Sequence, residues 1–87
     1  MPKVVFTHAV TDPALWASKH SERVEAFASW GSNVVEYLSA DGSNNVALSV
    51  DVHDLSTMQT ALGTPEIDAA KRAHGVLEPV IMHIEKS

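Results

Sequence analysis

Cysteine is absent from this chain of 87 residues. Disulfides, thiolate metal ligands and a thiol nucleophile are excluded together. A chain this short buries only about 60–65% of the surface that its unfolded form exposes. Stabilisation from outside its own core is therefore expected, and without disulfides that means a partner subunit or a ligand. Basic residues are also scarce: six Lys and Arg stand against eleven Asp and Glu, for a net charge of −5 with histidines neutral. No basic run exists to track phosphates, so no nucleic-acid partner is expected. Long apolar runs are missing, which argues against a membrane partner. The opening Met1 to Phe6 carries a single charge and a short apolar stretch that Thr7 and His8 interrupt, too little for an export signal. Cytoplasmic residence is the expectation that follows. There is no Gly-rich phosphate loop, no Gly-x-Ser-x-Gly elbow and no His-x-His or His-x₃-His spacing, so neither a cofactor nor a metal site is expected.

What is present reads as alternating strands and helices within one domain, residues 1–87. Residues 3–10 (KVVFTHAV) are rich in β-branched and aromatic types and predict a strand. Asp12 then serves as an N-cap with Pro13 at the first helical position, where its missing N–H costs nothing. That helix is expected to run to about Trp30, with Gly31 ending it in a left-handed conformation. Its inner seam is Trp16, His20, Val24 and Phe27, supplemented by Leu15 and Ala28. Residues 33–40 and 46–53 predict a hairpin, joined by the Asp41-Gly42-Ser43-Asn44-Asn45 loop. In its second strand Val46, Leu48, Val50 and Val52 face one way, and Ala47, Ser49, Asp51 and His53 the other. Asp54 caps a further helix with Leu55, Met58 and Leu62 inward. Gly63 interrupts it, and Thr64-Pro65-Glu66 restarts it. Ile67, Ala70 and His74 continue the inner face until Gly75. Residues 78–85 predict the last strand, with Val80, Met82 and Ile84 opposite Ile81, His83 and Glu85.

The order β-α-β-β-α-β predicts an α+β ferredoxin-like fold, a four-stranded antiparallel sheet in order 4-1-3-2. Right-handed crossovers place both helices on one face. The other face mixes Ala47, Ser49 and Ile81 with Asp51, His53 and His83. Such a face suits neither bare water nor a dry core, and pairing with a second copy of the sheet suits it best. A homodimer is expected.

The chain at this point resembles the dimeric α+β barrel superfamily. The resemblance rests on Val4-Val5-Phe6-Thr7-His8-Ala9-Val10 leading into Asp12 and Trp16, and on Leu62-Gly63-Thr64-Pro65-Glu66-Ile67. Ala69-Ala70 and His74-Gly75-Val76 complete it before the final strand. That superfamily contains antibiotic-biosynthesis-type monooxygenases, muconolactone isomerases, chlorite dismutase relatives and haem-degrading enzymes. The resemblance implies two facing sheets, with a ligand either between sheet and helices or between the sheets. It does not select one chemistry.

Histidine is the noticeable excess, with five in the chain. His53 and His83 fall on strands that run the same way, with Asp51 and Glu85 two residues from them on the same faces. A carboxylate beside an imidazole holds its tautomer and raises its basicity. His53, His83 and Asp51 are therefore the candidate catalytic set. His8, on the side of Phe6 and Val10, and His20, on the helix seam, are candidate substrate-binding residues with Trp16 as an aromatic wall. Tyr37 is a further candidate, since either it or Glu36 must face the lumen. The resulting expectation is a small dimer with a cofactor-independent enzymatic or binding role toward an apolar or aromatic metabolite. The competing reading is a non-catalytic dimeric module in which the same residues only set the register between sheets.

Overall fold

The structure is a computed structural model, and it describes residues 2–86. Strand β1 (Lys3–Val10) leads into helices α1 (Pro13–Ser18) and α2 (His20–Phe27), followed by β2 (Gly31–Leu38) and β3 (Asn45–Val52). Helices α3 (Leu55–Leu62) and α4 (Pro65–Ala73) then precede β4 (Val76–Ile84). The sheet order is β2-β3-β1-β4 with every pairing antiparallel, which is the expected 4-1-3-2 order counted from the other edge. The α+β ferredoxin-like architecture is thereby established.

The polar starts of the helices behave as their residue types dictate. Asp12 accepts from the N–H groups of Ala14 and Leu15, Asp54 from that of Thr57, and Thr64 from that of Ile67. Each satisfies orphan donors of a first turn, and Pro13 and Pro65 follow where a missing N–H is free of cost. Gly75 carries φ of 74° just past α4, the left-handed position that only glycine adopts without strain.

The first helical stretch departs from expectation. It is two short helices rather than one, broken at Lys19 (φ −96°, ψ 14°). The buried residues are Trp16, Arg23, Phe27 and Trp30, while His20, Val24 and Leu15 are exposed. Gly31 also differs: it does not end a helix in a left-handed conformation but opens β2. A side chain there would place its Cβ 2.7 Å from Val50 Cγ2 and 3.1 Å from the Asp51 carbonyl. Glycine is required by that close approach to β3. β2 consequently begins two residues earlier than the pattern suggests, and it contains a register shift between Ser32 and Val35 where Asn33 takes φ of 55°.

One face of the sheet carries the core. Val4, Phe6 and Val10 of β1 and Val46, Leu48, Val50 and Val52 of β3 are buried against Trp16, Phe27, Trp30 and Met58. Among the described residues no element covers the opposite face. Val35, Tyr37, Leu77 and Ile81 stand there with 38–50% of their surfaces open. Glu36 pairs in register with Leu48 and so faces the helices, while Tyr37 pairs with Ala47 on the open face. That decides which of the two looks outward.

Candidate functional site

A cavity of about 440 Å³ lies between the helices and the covered face of the sheet. Phe6, Leu48, Val80 and Met82 form its floor, and Phe27, Leu62, Ile67 and Ala70 its roof. Helix α4 roofs it without burying any side chain completely, so the space beneath stays unfilled. The walls are mostly apolar, with the buried His8, Arg23 and His74 built into them and the more exposed Glu22, Lys71 and Glu78 also lining the space. This is the usual composition of a small-molecule site.

Arg23 organises that set. Its Nε and Nη2 donate to the two carboxylate oxygens of Glu36, Nη2 to Oε1 at 2.7 Å. Nη2 also donates to the Trp16 carbonyl, and Nη1 donates to His74 Nδ1 at 3.2 Å. The guanidinium carbon lies 4.2 Å from the centroid of the Trp16 ring, a cation–π contact. A two-pronged Arg–carboxylate pair fixes orientation as well as charge. Arg23 is only 6% exposed, and Glu36 is the counter-charge that makes its burial tolerable.

The two cavity histidines are set in opposite ways. The Ala9 carbonyl can only accept, so His8 Nδ1, 3.1 Å away, carries the proton and Nε2 keeps its lone pair. Burial holds the His8 pKa below its ordinary 6.5, against the opposing pull of the Ala9 carbonyl; the Arg23 charge adds to the lowering. His8 is thus a neutral acceptor, its ring set edge-on to Trp16 with centroids 5.9 Å apart. An arginine N–H can only donate, so Arg23 takes the lone pair of His74 Nδ1 and leaves the ring proton on Nε2. That Nε2 lies 3.6 Å from Glu22 Oε1 at the rim. Lys19 bonded to the Glu22 carboxylate holds it below the usual range, and Lys71 does the same for Glu78.

Of the residues anticipated from sequence, His8 and Trp16 line this cavity. His20 does not; it is exposed on α2 and meets Glu36 Oε1 from outside, with Nδ1 at 3.2 Å. Tyr37 is on the open face, its hydroxyl 3.1 Å from Ser49 Oγ, beside a second hollow of about 470 Å³. His53, His83 and Asp51 lie away from the helix–sheet cavity, and the structure does not gather them. Asp51 pairs with Lys3 at 3.6 Å and accepts from Asn33. His53 Nε2 is 2.7 Å from Ser32 Oγ. Val5 sits between Ser49 and His83, which leaves His53 four residues, about 13 Å, further along the sheet. Among the described residues no three His, Asp or Glu side chains converge as a metal would require.

Sequence reasoning missed Arg23, Glu36 and the role of His74. One signal was there to read. Arg23 lies seven residues from Trp16, a helical spacing that keeps two side chains on one face. A cation on the apolar side of a helix implies a buried carboxylate partner.

No family model and no curated protein matches the sequence. Solved structures do match. SnoaB from Streptomyces nogalater, a cofactor-independent oxygenase, superposes with a TM-score of 0.72 at 16% identity, over 99% of this chain and 91% of that one. A protein from Bordetella bronchiseptica assigned as an antibiotic biosynthesis monooxygenase gives 0.66 at 15% identity, covering 99% and 95%. Its counterpart from Deinococcus radiodurans gives 0.64 at 12%, covering 100% and 92%. No helix among the described residues is long and apolar enough to cross a membrane. The chain has the ferredoxin-like α+β fold, which it shares with these solved structures.

Proposed function

We propose that this protein takes a small, largely apolar ring compound into the helix–sheet cavity and acts on it without a bound cofactor. The carrying observation is the cavity itself: about 440 Å³ of apolar space that holds a neutral, acceptor-oriented His8 beside an Arg23–Glu36 pair. A low-dielectric enclosure with one fixed proton acceptor suits removal of a proton from a weakly acidic hydroxyl or carbon. The likeness to SnoaB supports chemistry of this cofactor-independent kind. The working unit in this reading is a cytoplasmic homodimer, joined through Val35, Tyr37, Leu77 and Ile81 on the open face. His53, His83 and Asp51 then lie around the space between two sheets rather than in the cavity.

Fluorescence titration with 1-naphthol tests the cavity. Trp16 forms its wall, so binding should quench tryptophan emission and raise the melting temperature with ligand concentration. Ala70→Trp, which fills the roof, should abolish both effects while the protein stays folded. Unchanged quenching in that variant would place the ligand elsewhere.

A second reading rests on the exposed apolar face: a dimeric module without chemistry, whose product is the assembly. It requires that a folded, dimeric protein bind no ring compound, so the same titration separates the two.

A further inference from the structure

Each of α1, α2 and α3 buries at least one side chain, Trp16, then Arg23 with Phe27, then Met58, whereas α4 buries none. From Gln59 to Ala73 no residue is buried. The reason lies beneath the helix. Ile67 and Ala70 line the cavity, and unfilled space offers a side chain no partner atoms. What holds α4 down is polar instead. On one side Lys71 Nζ lies 3.2 Å from Glu78 Oε1 on β4, a pair that water reaches. On the other side His74, the C-cap of α4, meets Arg23 Nη1 of α2 at 3.2 Å and approaches Glu22 Oε1 at 3.6 Å. Exposed ion pairs contribute little. Elements with few buried contacts open locally well before the whole protein unfolds.

Both ends of α4 are glycines set beside anchored structure. Gly63 separates it from α3, which the wholly buried Met58 holds to the core. Gly75 follows it with φ of 74°, and the Gly75 carbonyl accepts from the Thr11 N–H at 2.9 Å. A hinge needs only a few residues that can absorb a change in φ and ψ, and glycine does so at least cost. We propose that α4 is a lid over the helix–sheet cavity, pivoting at Gly63 and Gly75. Its latches are Lys71 on Glu78 and His74 on the Arg23–Glu22 side. This rests on the cavity reading above and adds how a ligand enters and leaves. Closure seats His74 against Arg23, so the polar wall of the cavity is complete only with the lid down. The anchored neighbours, α3 through Met58 and β1 through its core side chains, stay in place as α4 lifts.

Two measurements test the lid. Hydrogen exchange needs no ligand: the amides of residues 67–73 should exchange about tenfold or more faster than those of β1. Protection of α4 equal to that of β1 overturns the proposal. Stopped-flow quenching of tryptophan by 1-naphthol reads the gate. Lys71→Met removes the strap to β4 and should speed association and dissociation together by about two- to fivefold, the worth of an exposed ion pair. A side chain that merely touched the ligand would alter dissociation alone. Gly63→Ala, whose Cβ would meet only the Thr60 and Gln59 carbonyls at 3.6 and 3.8 Å, stiffens the pivot and should slow both rates by about the same factor. Because the chain has no cysteine, Lys71→Cys with Glu78→Cys can be bridged by a short bismaleimide. The bridged protein should exchange 1-naphthol about tenfold or more slowly than the unbridged one. Unaltered rates in both the bridged protein and Gly63→Ala overturn the lid. Fast exchange in α4 without any binding of 1-naphthol removes the cavity reading and leaves the mobile helix. Binding beneath a firmly protected α4 keeps the cavity and removes the lid.

Discussion

The two faces of the sheet are built from the same four strands and differ in what each does with its charged residues. On the helix-covered face the buried charges are paired with each other. Arg23 and Glu36 are nearly buried, face each other in two-pronged geometry and hold His74 in one tautomer. On the open face the charges are loosely held. Asp51 shares Lys3 and Asn33 in partly exposed contacts, while His53 and His83 are exposed. Burial raises the cost of an unpaired charge and strengthens a paired one, so a polar group becomes committed only where the helices cover it. A histidine-and-carboxylate pattern reads the same in sequence on either face. Coverage decides which cluster is preorganised, and here it favours His8, Arg23 and His74 over His53, His83 and Asp51.

The comparison can be pressed from its strongest point downward. Trp30→Ala removes the largest wholly buried ring near the β2 start and should cost about 3–5 kcal/mol by urea denaturation. A loss below about 1 kcal/mol would mean that the covered face is not a packed core. Glu36→Ala leaves the Arg23 cation buried without its partner and should cost about 3 kcal/mol. Tyr37→Ala, its neighbour facing the other way, should cost far less in the isolated subunit. Equal losses for the pair would erase the distinction between faces.

On the open side, Ile81→Asp should weaken self-association at least tenfold in sedimentation equilibrium and leave 1-naphthol quenching intact. A wild-type protein that sediments as a folded monomer at micromolar concentration removes the dimer. The pH dependence is smaller and has a defined sign. Burial depresses the His8 pKa below 6.5, so the unfolded chain binds the proton more readily than the folded one. Its contribution to stability is complete above pH 6.5 and is lost as pH falls through the lowered value. Urea midpoints between pH 5 and 7.5 should lose this slope in His8→Gln. The Glu22 and Glu78 carboxylates, held below 4.5 by lysines, act only in more acidic solution. The smallest effect belongs to His53→Ala and His83→Ala, each within about 0.5 kcal/mol of wild type, as expected for exposed side chains.

Much of the fold was legible because it is written in short-range signals. Asp12-Pro13, Asp54 and Thr64-Pro65 start helices by bonding to their own next turn, and the alternation from Val46 to Val52 assigns a buried face without reference to anything distant. Topology followed from element order and handed crossovers. The candidate site was legible only in part. His8 and Trp16 emerged from parity and periodicity. Arg23 did not, although its spacing from Trp16 places it on the same face, because a cation on a helix reads as solvent-facing until its carboxylate partner on a distant strand is known. His20 and Val24 were misplaced because the inner face runs from Trp16 through Arg23 and Phe27 instead.

Local residue patterns set the helix caps and the core side of β1, β3 and β4, since each depends on neighbours within a few residues, and the element order then set the sheet. Only the tertiary structure decided that Glu36 rather than Tyr37 turns inward, that Gly31 serves a close approach to Val50, and that His74 meets Arg23 from fifty-one residues away. Those outcomes depend on distances between segments far apart in the chain. A pattern of residue types carries no measure of such distances until the helices have settled on the sheet.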